Sequence, residues 1–284
     1  MGTTTKIEWC DHSASPWHGC SKVHAGCDNC FAEAMARRNP GTLGIWGDEG
    51  TRVKSKSFIA NLRKWNREAA AKGVTESVFP SICDPFEDRP ELADWRREMF
   101  AVADECPNIR LLLLTKRPEN VRRLWPAIRE RGTHRILGTQ RENVWIGTSV
   151  SNQPTADEAI RHLLKLRDLT PVLFVSAEPL LEGIDLAAAY YNAMVADGWH
   201  PHHHGRNDCP NCCAGENQDD SGFDCSRCYG TTKVRGIDWV IVGGESGPHA
   251  RPCSAEWIRS IVQQCKTGGT AGFVKRLGEN ATGG

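Results

Sequence analysis

Ile109-Arg-Leu-Leu-Leu-Leu-Thr-Lys-Arg-Pro118 is a short apolar run that stops abruptly in polar and charged side chains. Such a run, closed by proline, suits a strand buried on both faces. The pattern recurs. Ser77–Cys83 runs into Asp84-Pro-Phe, and Val144–Gly147 into Thr148-Ser-Val-Ser-Asn. Val172–Val175 runs into Ser176-Ala-Glu-Pro, and Trp239–Val242 into Gly243-Gly-Glu-Ser-Gly-Pro. Segments with a helical spacing of apolar residues lie around and between these runs: Ser57–Lys72, Glu91–Asp104, Pro118–Arg131, Ala156–Arg167 and Ala255–Lys266, the last with Ser254 as its N-cap. Apolar strands alternating with helices predict an α/β fold, a parallel sheet covered by helices, with chemistry gathered at the C-terminal strand ends. Lys6–Trp9 is a further short strand candidate, making six, and Gly272–Leu277 a possible last one.

The chain has 284 residues and a formal net charge of zero, so no global basic field advertises nucleic acid. This length suits one large α/β domain with an insertion, or two domains. Thirteen cysteines is a high count, and many fall in CxxC-like pairs. That pattern points to metal in a reducing compartment rather than a disulfide framework. The first residues lack the apolar core of a signal peptide, and no apolar run reaches membrane-spanning length. A cytoplasmic protein with no membrane partner is expected.

Residues 187–235 are too long for a simple crossover. They open with the helix-like Ala187–Asp197, pass through the His200–His204 tract, and carry Cys209, Cys212, Cys225 and Cys228 at C-x2-C-x12-C-x2-C. Two knuckles of two thiolates suit tetrahedral Zn2+, and the polar stretch between them cannot build a core without metal. Four thiolates also suit an auxiliary iron–sulfur cluster. The expected organisation is therefore a main domain over 1–186 and 236–284, with a zinc-ribbon-like insertion over 187–235. Cys83, Cys106, Cys253 and Cys265 lie in or beside apolar segments and are expected to be inert buried thiols.

Near the N-terminus, Pro16-Trp-His-Gly-Cys20-Ser-Lys-Val-His-Ala-Gly-Cys27-Asp-Asn-Cys30 places three cysteines at C-x6-C-x2-C, just before the helix-like Phe31–Arg38. Gly19 and Gly26 allow the backbone to bend sharply there. Thiolates hold iron–sulfur clusters, and three of them leave one iron of a [4Fe-4S] cluster open. A zinc site completed by His18 or His24, or a set of free buried thiols, would use the same residues. The triplet resembles that of the radical S-adenosylmethionine (SAM) superfamily, although its first gap is three residues longer than the common C-x3-C-x2-C.

The resemblance implies a partial (β/α)6 barrel, a [4Fe-4S] cluster on Cys20, Cys27 and Cys30, and S-adenosyl-L-methionine on the open iron. It also implies an external electron donor such as flavodoxin. Strand-end residues then become candidates for holding SAM: Asp84, Thr115, Thr148, Ser149, Ser176, Glu178, Gly243, Gly244 and Glu245. Lys116 or Arg117 could pair with the SAM carboxylate or a substrate phosphate. Lys116, Arg117, Glu178 and Glu245 are the candidate catalytic residues.

A closer resemblance rests on Trp17-His-Gly-Cys20, Leu-Leu-Thr-Lys-Arg-Pro-Glu-Asn120, Trp145-Ile-Gly-Thr-Ser-Val150, Ser176-Ala-Glu-Pro-Leu-Leu181 and Asp238-Trp-Val-Ile-Val-Gly-Gly-Glu-Ser-Gly247. These stretches are similar to phage- and bacterium-encoded radical-SAM-like proteins, often called three-Cys-motif phage proteins, and in outline to spore photoproduct lyase. That family implies a nucleic acid or modified nucleobase substrate, such as a glycyl-thymine adduct in phage DNA. Two other functions stand beside this one. One is a zinc-stapled nucleic-acid-binding protein without catalysis. The other is a metal-dependent hydrolase or nuclease using Asp84, Glu178 and Glu245.

Overall fold

The computed structural model describes residues 5–129, 136–196, 236–247 and 249–283. Seven parallel strands form one sheet in strict sequence order. They are β1 (His12–Ser13), β2 (Glu76–Phe79), β3 (Ile109–Thr115), β4 (Val144–Ser149), β5 (Leu173–Ala177), β6 (Trp239–Gly243) and β7 (Ala271–Arg276). The sequence-ordered sheet curls into a half barrel, the partial barrel expected of the radical SAM type.

Helices link successive strands, and all but the first pack on the outer face. They are α1 (Phe31–Arg38) and α2 (Phe58–Lys72) before β2, α3 (Leu92–Glu105), α4 (Pro118–Leu124), α5 (Gln153–Leu164), α6 (Leu186–Ala196) and α7 (Ala255–Gly268). Local chemistry sets their ends. Gly73 and Gly269 close α2 and α7 in the left-handed conformation, and the Ser254 hydroxyl caps α7 by accepting from the Glu256 amide. Asn152 and Thr155 form a reciprocal capping box on α5.

Side-chain alternation sorts the strand residues between two cores. Leu111, Leu113, Ile146, Val175, Val240 and Val242 pack outward against helix residues such as Leu62, Met99, Ile160 and Ile261. Leu112, Phe174 and Ile241 face inward, with Trp9, Phe79, Trp145, Trp239 and Phe273 around them. Gly147 is required here, because a Cβ on it would lie 2.3 Å from the Phe174 ring.

Two segments differ from the sequence reading. Lys6–Trp9 is not a strand: Ile7–Cys10 is a turn, with the Cys10 amide donating to the Ile7 carbonyl, and the first strand is the polar pair His12–Ser13. Trp9 instead packs on Phe79 and Trp239 with ring centroids 4.4 and 5.8 Å away, which fills the inner face. Helix α4 ends at Leu124, short of Arg131, and an antiparallel ribbon of Ile128–Arg129 with Ile136–Gly138 follows. Between α1 and α2 lie a helical turn, Pro40–Leu43, and Val53–Lys54 paired with Trp17–His18.

Helix α6 places Leu186 and Ala189 in the main core, so the segment expected as an insertion begins with a helix of the barrel layer. Cys209, Cys212, Cys225, Cys228 and the His200–His204 tract lie outside the described residues. No helix among the described residues is long and apolar enough to cross a membrane.

Candidate active site

The cysteine loop lies against the C-terminal ends of β2 and β3, where the fold rule places chemistry. It is stitched on from its first residue: Gly19 bridges to Cys83, just past β2, and its amide donates to the Ile82 carbonyl at 3.2 Å. Gly19 has φ of +109°, and a Cβ there would lie 2.8 Å from Arg52 Cδ. Gly26 is needed for space, since its Cβ would fall 2.2 Å from the Ser151 hydroxyl oxygen. Between them the chain makes a single 3-10 turn, Ala25–Cys27, capped by the His24 ring nitrogen Nδ1 accepting from the Gly26 amide. Cys30 is the N-cap residue of α1.

Cys20, Cys27 and Cys30 line one cavity of about 300 Å³. Its other walls include Phe79, Leu114, Trp46, Asp84, Lys116 and Ser149. Cys83, expected to be an inert core thiol, also lines it. Burial pushes the Cys20 thiol up to about 12, with Asp84 adding to the rise and Arg117 opposing it. Burial also raises the Cys30 and Cys83 thiols. The ligand form of cysteine is the thiolate, so loading metal here releases protons. Burial lowers the His24 ring to about 4, helped by the Lys116 charge, so this histidine is neutral near pH 7. Its Nε2 and the Ser151 hydroxyl are buried with no hydrogen-bond partner.

Alternation also decides which strand-end residues reach the inner face. Leu114 on β3 and Ser149 on β4 line the cavity, and so does Lys116 just past β3; the Lys116 ammonium donates to the Ser149 hydroxyl at 2.9 Å. The Ser149 hydroxyl donates to the Glu178 carbonyl at 3.2 Å, and the Glu178 carboxylate pairs with Lys275 of β7 at 2.5 Å. Thr148 has the opposite parity and is fully buried, with its hydroxyl donating to the Thr115 carbonyl. Thr115 borders the cavity, but its hydroxyl donates to Asp84 at 2.6 Å.

Asp84 also accepts from the Phe86 and Lys116 amides and from Arg117, so both of its oxygens are occupied by this chain's own donors. Ser176 is buried on the inner-face parity of β5, away from the cavity lining.

The remaining candidates serve the frame. Glu245 accepts from the Arg251 side chain and backbone and from the Asn29 amide group, directly before Cys30. Gly244 is bare for this chain's own backbone: a Cβ there would lie 2.3 Å from the Leu277 carbonyl oxygen. Gly243 likewise faces the Arg276 carbonyl.

Among the described residues, no three His, Cys, Asp or Glu side chains converge around one ion position. Asp84, Glu178 and Glu245 therefore do not form the metal triad that a hydrolase reading needs. A cubane cluster makes a different demand, because each thiolate binds its own corner iron.

Two residues central to the loop had no motif around them. Arg52 reaches both Glu87 oxygens at 2.6 and 2.7 Å, the Ser21 hydroxyl, and the Gly47 and Gly50 carbonyls. Glu87 in turn accepts from the Ser21 amide and hydroxyl. Burial works against the Glu87 charge, but Arg52, Ser21 and Arg117 outweigh it and hold the carboxyl below its ordinary value.

The curled parallel sheet is a partial barrel, with the cysteine loop over its C-terminal strand ends. The chain belongs to a family described as a protein of unknown function, DUF5131, whose model matches residues 4–283. No curated protein matches it. Among solved structures it is similar to a tyrosine-to-phenylalanine mutant of spore photoproduct lyase, with 9% identity and a TM-score of 0.51, covering 96% of this chain and 78% of that one. Spore photoproduct lyase complexed with a dinucleoside spore photoproduct gives 10% identity and a TM-score of 0.45, over 92% and 62% of the two chains. A double mutant of that lyase with bound AdoMet and the dinucleoside gives 11% and 0.42, over 68% and 52%. The chain thus spans about half of the double mutant with bound AdoMet and under two thirds of the dinucleoside complex. At such identities the likeness is one of fold.

Proposed function

We propose that this chain is a radical SAM enzyme, with a [4Fe-4S] cluster on Cys20, Cys27 and Cys30, acting on a nucleobase. The observation that carries the reading is the cavity at the strand ends that those three thiols line together with Lys116 and Ser149. The donor set fits the group: three soft sulfur ligands on one loop, with apolar Phe79 and Leu114 lining the same cavity. When bound, a cluster with one open iron binds and reduces SAM, supplying the radical that takes a hydrogen atom from the substrate.

This chain's residues position and shield. Lys116 and Lys22 are the cations on the cavity wall, and Lys116, whose ammonium Ser149 fixes, suits the SAM carboxylate. The Glu178–Lys275 pair lies next to Ser149 on the inner face and is placed to meet polar groups of SAM or substrate. Phe79, Leu114 and Trp46 exclude water and offer an apolar wall to a flat base.

The most specific substrate we propose is a hypermodified thymine, such as a glycyl-thymine adduct in phage DNA. Two of the three lyase structures contain a dinucleoside photoproduct, one of them with AdoMet. A base in a duplex would have to be flipped out to reach the cavity. Cys209, Cys212, Cys225 and Cys228 we propose as a zinc module that helps hold the strand, and a flavodoxin-like protein as electron donor.

The test is anaerobic turnover with SAM, a reductant and phage DNA, read by mass spectrometry of the nucleosides. We expect 5′-deoxyadenosine or a modified base from the wild type, and neither from Cys20→Ala, Cys27→Ala or Cys30→Ala. Cys83→Ala should keep about four irons per chain. Full activity in the three loop variants, or loss of the cluster in Cys83→Ala, contradicts the assignment of ligands.

A further inference from the structure

Lys116 and Arg117 are adjacent in sequence, yet the fold separates them. Lys116 lines the cavity and Arg117 does not. Arg117 approaches Cys20 from behind the cavity wall. Its Nη1 donates to Asp84 at 2.9 Å and to the Cys20 sulfur at 3.7 Å, and its Nη2 donates to the Ser21 carbonyl at 3.1 Å. Glu87 stands 3.9 Å from the same Nη2. Both terminal nitrogens are committed inside the protein, and the side chain is only 13% exposed. No part of this fork is presented to a ligand in the cavity.

We propose that Arg117 is a positioning residue that grips Cys20 and raises the reduction potential of the cluster, rather than a contact for SAM or substrate. The inference rests on the radical SAM reading above. The physical reason is charge. Reduction adds a negative charge to a cluster already held by thiolates. A cation and a hydrogen bond at a ligating sulfur favour the reduced form and make the electron easier to accept. Asp84 acts in the opposite sense, being an anion 2.9 Å from the same guanidinium nitrogen. The two side chains therefore set the potential as an opposed pair, and of the adjacent cations Lys116 and Arg117 only Lys116 faces the cavity.

The experiment is an anaerobic redox titration followed by EPR, without SAM, on the reconstituted wild type, Arg117→Gln, Arg117→Lys and Asp84→Asn. Iron content and SAM affinity are measured alongside. Arg117→Gln should move the midpoint to more negative potential and Asp84→Asn to more positive. Arg117→Lys keeps the charge and loses the fork, so its shift should be negative but smaller. SAM affinity of Arg117→Gln should stay within about twofold.

Should Arg117→Gln load no iron, Arg117→Lys and Asp84→Asn decide: shifts of opposite sign support the inference, and equal potentials overturn it. An unchanged potential in loaded Arg117→Gln overturns it, as does a tenfold or greater loss of SAM affinity at unchanged potential. A wild type that binds no cluster defeats the radical SAM reading and this inference together. A loaded wild type with indifferent variants defeats this inference alone.

Discussion

The two ends of the cysteine loop are anchored by the same chemistry in different surroundings. At Cys20 the anchor is Arg52 and Glu87, whose side chains are 0% and 4% exposed, joined by Ser21 and Arg117. At Cys27 and Cys30 the anchor is Arg251 and Glu245, with Arg251 27% exposed. Arg251 also reaches the Ala25 carbonyl and the well-exposed Asp28. Both are charged forks that bind carboxylate and loop backbone together. The first is sealed, so every donor must be satisfied and breaking it strands a buried charge. The second touches water through Arg251, whose lost partners water can replace, while Glu245 is 6% exposed. The structure thus fixes the entrance of the loop more rigidly than its exit. On the proposed cluster reading, Cys20 is the more firmly held end, and adjustment on uptake would fall on the Asp28–Cys30 side.

That contrast can be broken by substitution. Arg52→Met leaves buried Glu87 with the Ser21 donors and with Arg117 3.9 Å away but without its closest cation, and should cost about 3–5 kcal/mol in urea unfolding, enough to threaten a domain of ordinary stability. Glu245→Gln should cost less, about 1.5–3 kcal/mol for hydrogen bonds to a charged group, and should loosen cluster retention more than it lowers the melting temperature. A distant control is Arg122→Ala, which removes an ion pair with Asp168 whose partners are both more than half exposed. Its effect should be below about 1 kcal/mol and fade in high salt. If Glu245→Gln matches Arg52→Met in cost, the two anchors are equivalent and the contrast is lost.

Acid should act on the loop from its middle. The His24 ring is lowered to about 4, so the folded chain binds its proton less readily than the unfolded chain. The unfolded state then holds more protons between about pH 6.5 and 4, and stability falls as pH falls through that window. Glu87 and Glu245 are also held below their ordinary values, and their contribution is lost as pH falls further. The melting temperature of the metal-free protein should decline from pH 7 to pH 4. His24→Asn keeps an acceptor for the Gly26 amide and should flatten the upper part of that decline.

Much of the fold was legible because it is periodic. The five apolar runs became β2 to β6, and Gly272–Leu277 became β7 over Ala271–Arg276. Lys6–Trp9 misled because Trp9 is apolar for a different reason: it fills the inner face from a turn. The true first strand, His12–Ser13, is two polar residues and carries no apolar signal.

The site was legible in part. The cysteines announced themselves by spacing, and the polar strand ends by position. Counting in twos along β4 would have assigned Ser149 inward and Thr148 outward, since Trp145, Gly147 and Ser149 share a face. Arg52 and Glu87 lie 35 residues apart with no motif at either, so only the folded chain reveals that they meet. Cys83 looked like core because its neighbours are apolar, and the strand end that it follows opens on the cavity.

The most direct measurement is EPR of the anaerobically reconstituted, reduced chain, recorded with and without SAM. The account predicts a [4Fe-4S] signal that changes when SAM is added and is absent from the Cys20→Ala, Cys27→Ala and Cys30→Ala proteins. A wild-type chain with no such signal, or one whose signal ignores SAM, contradicts it.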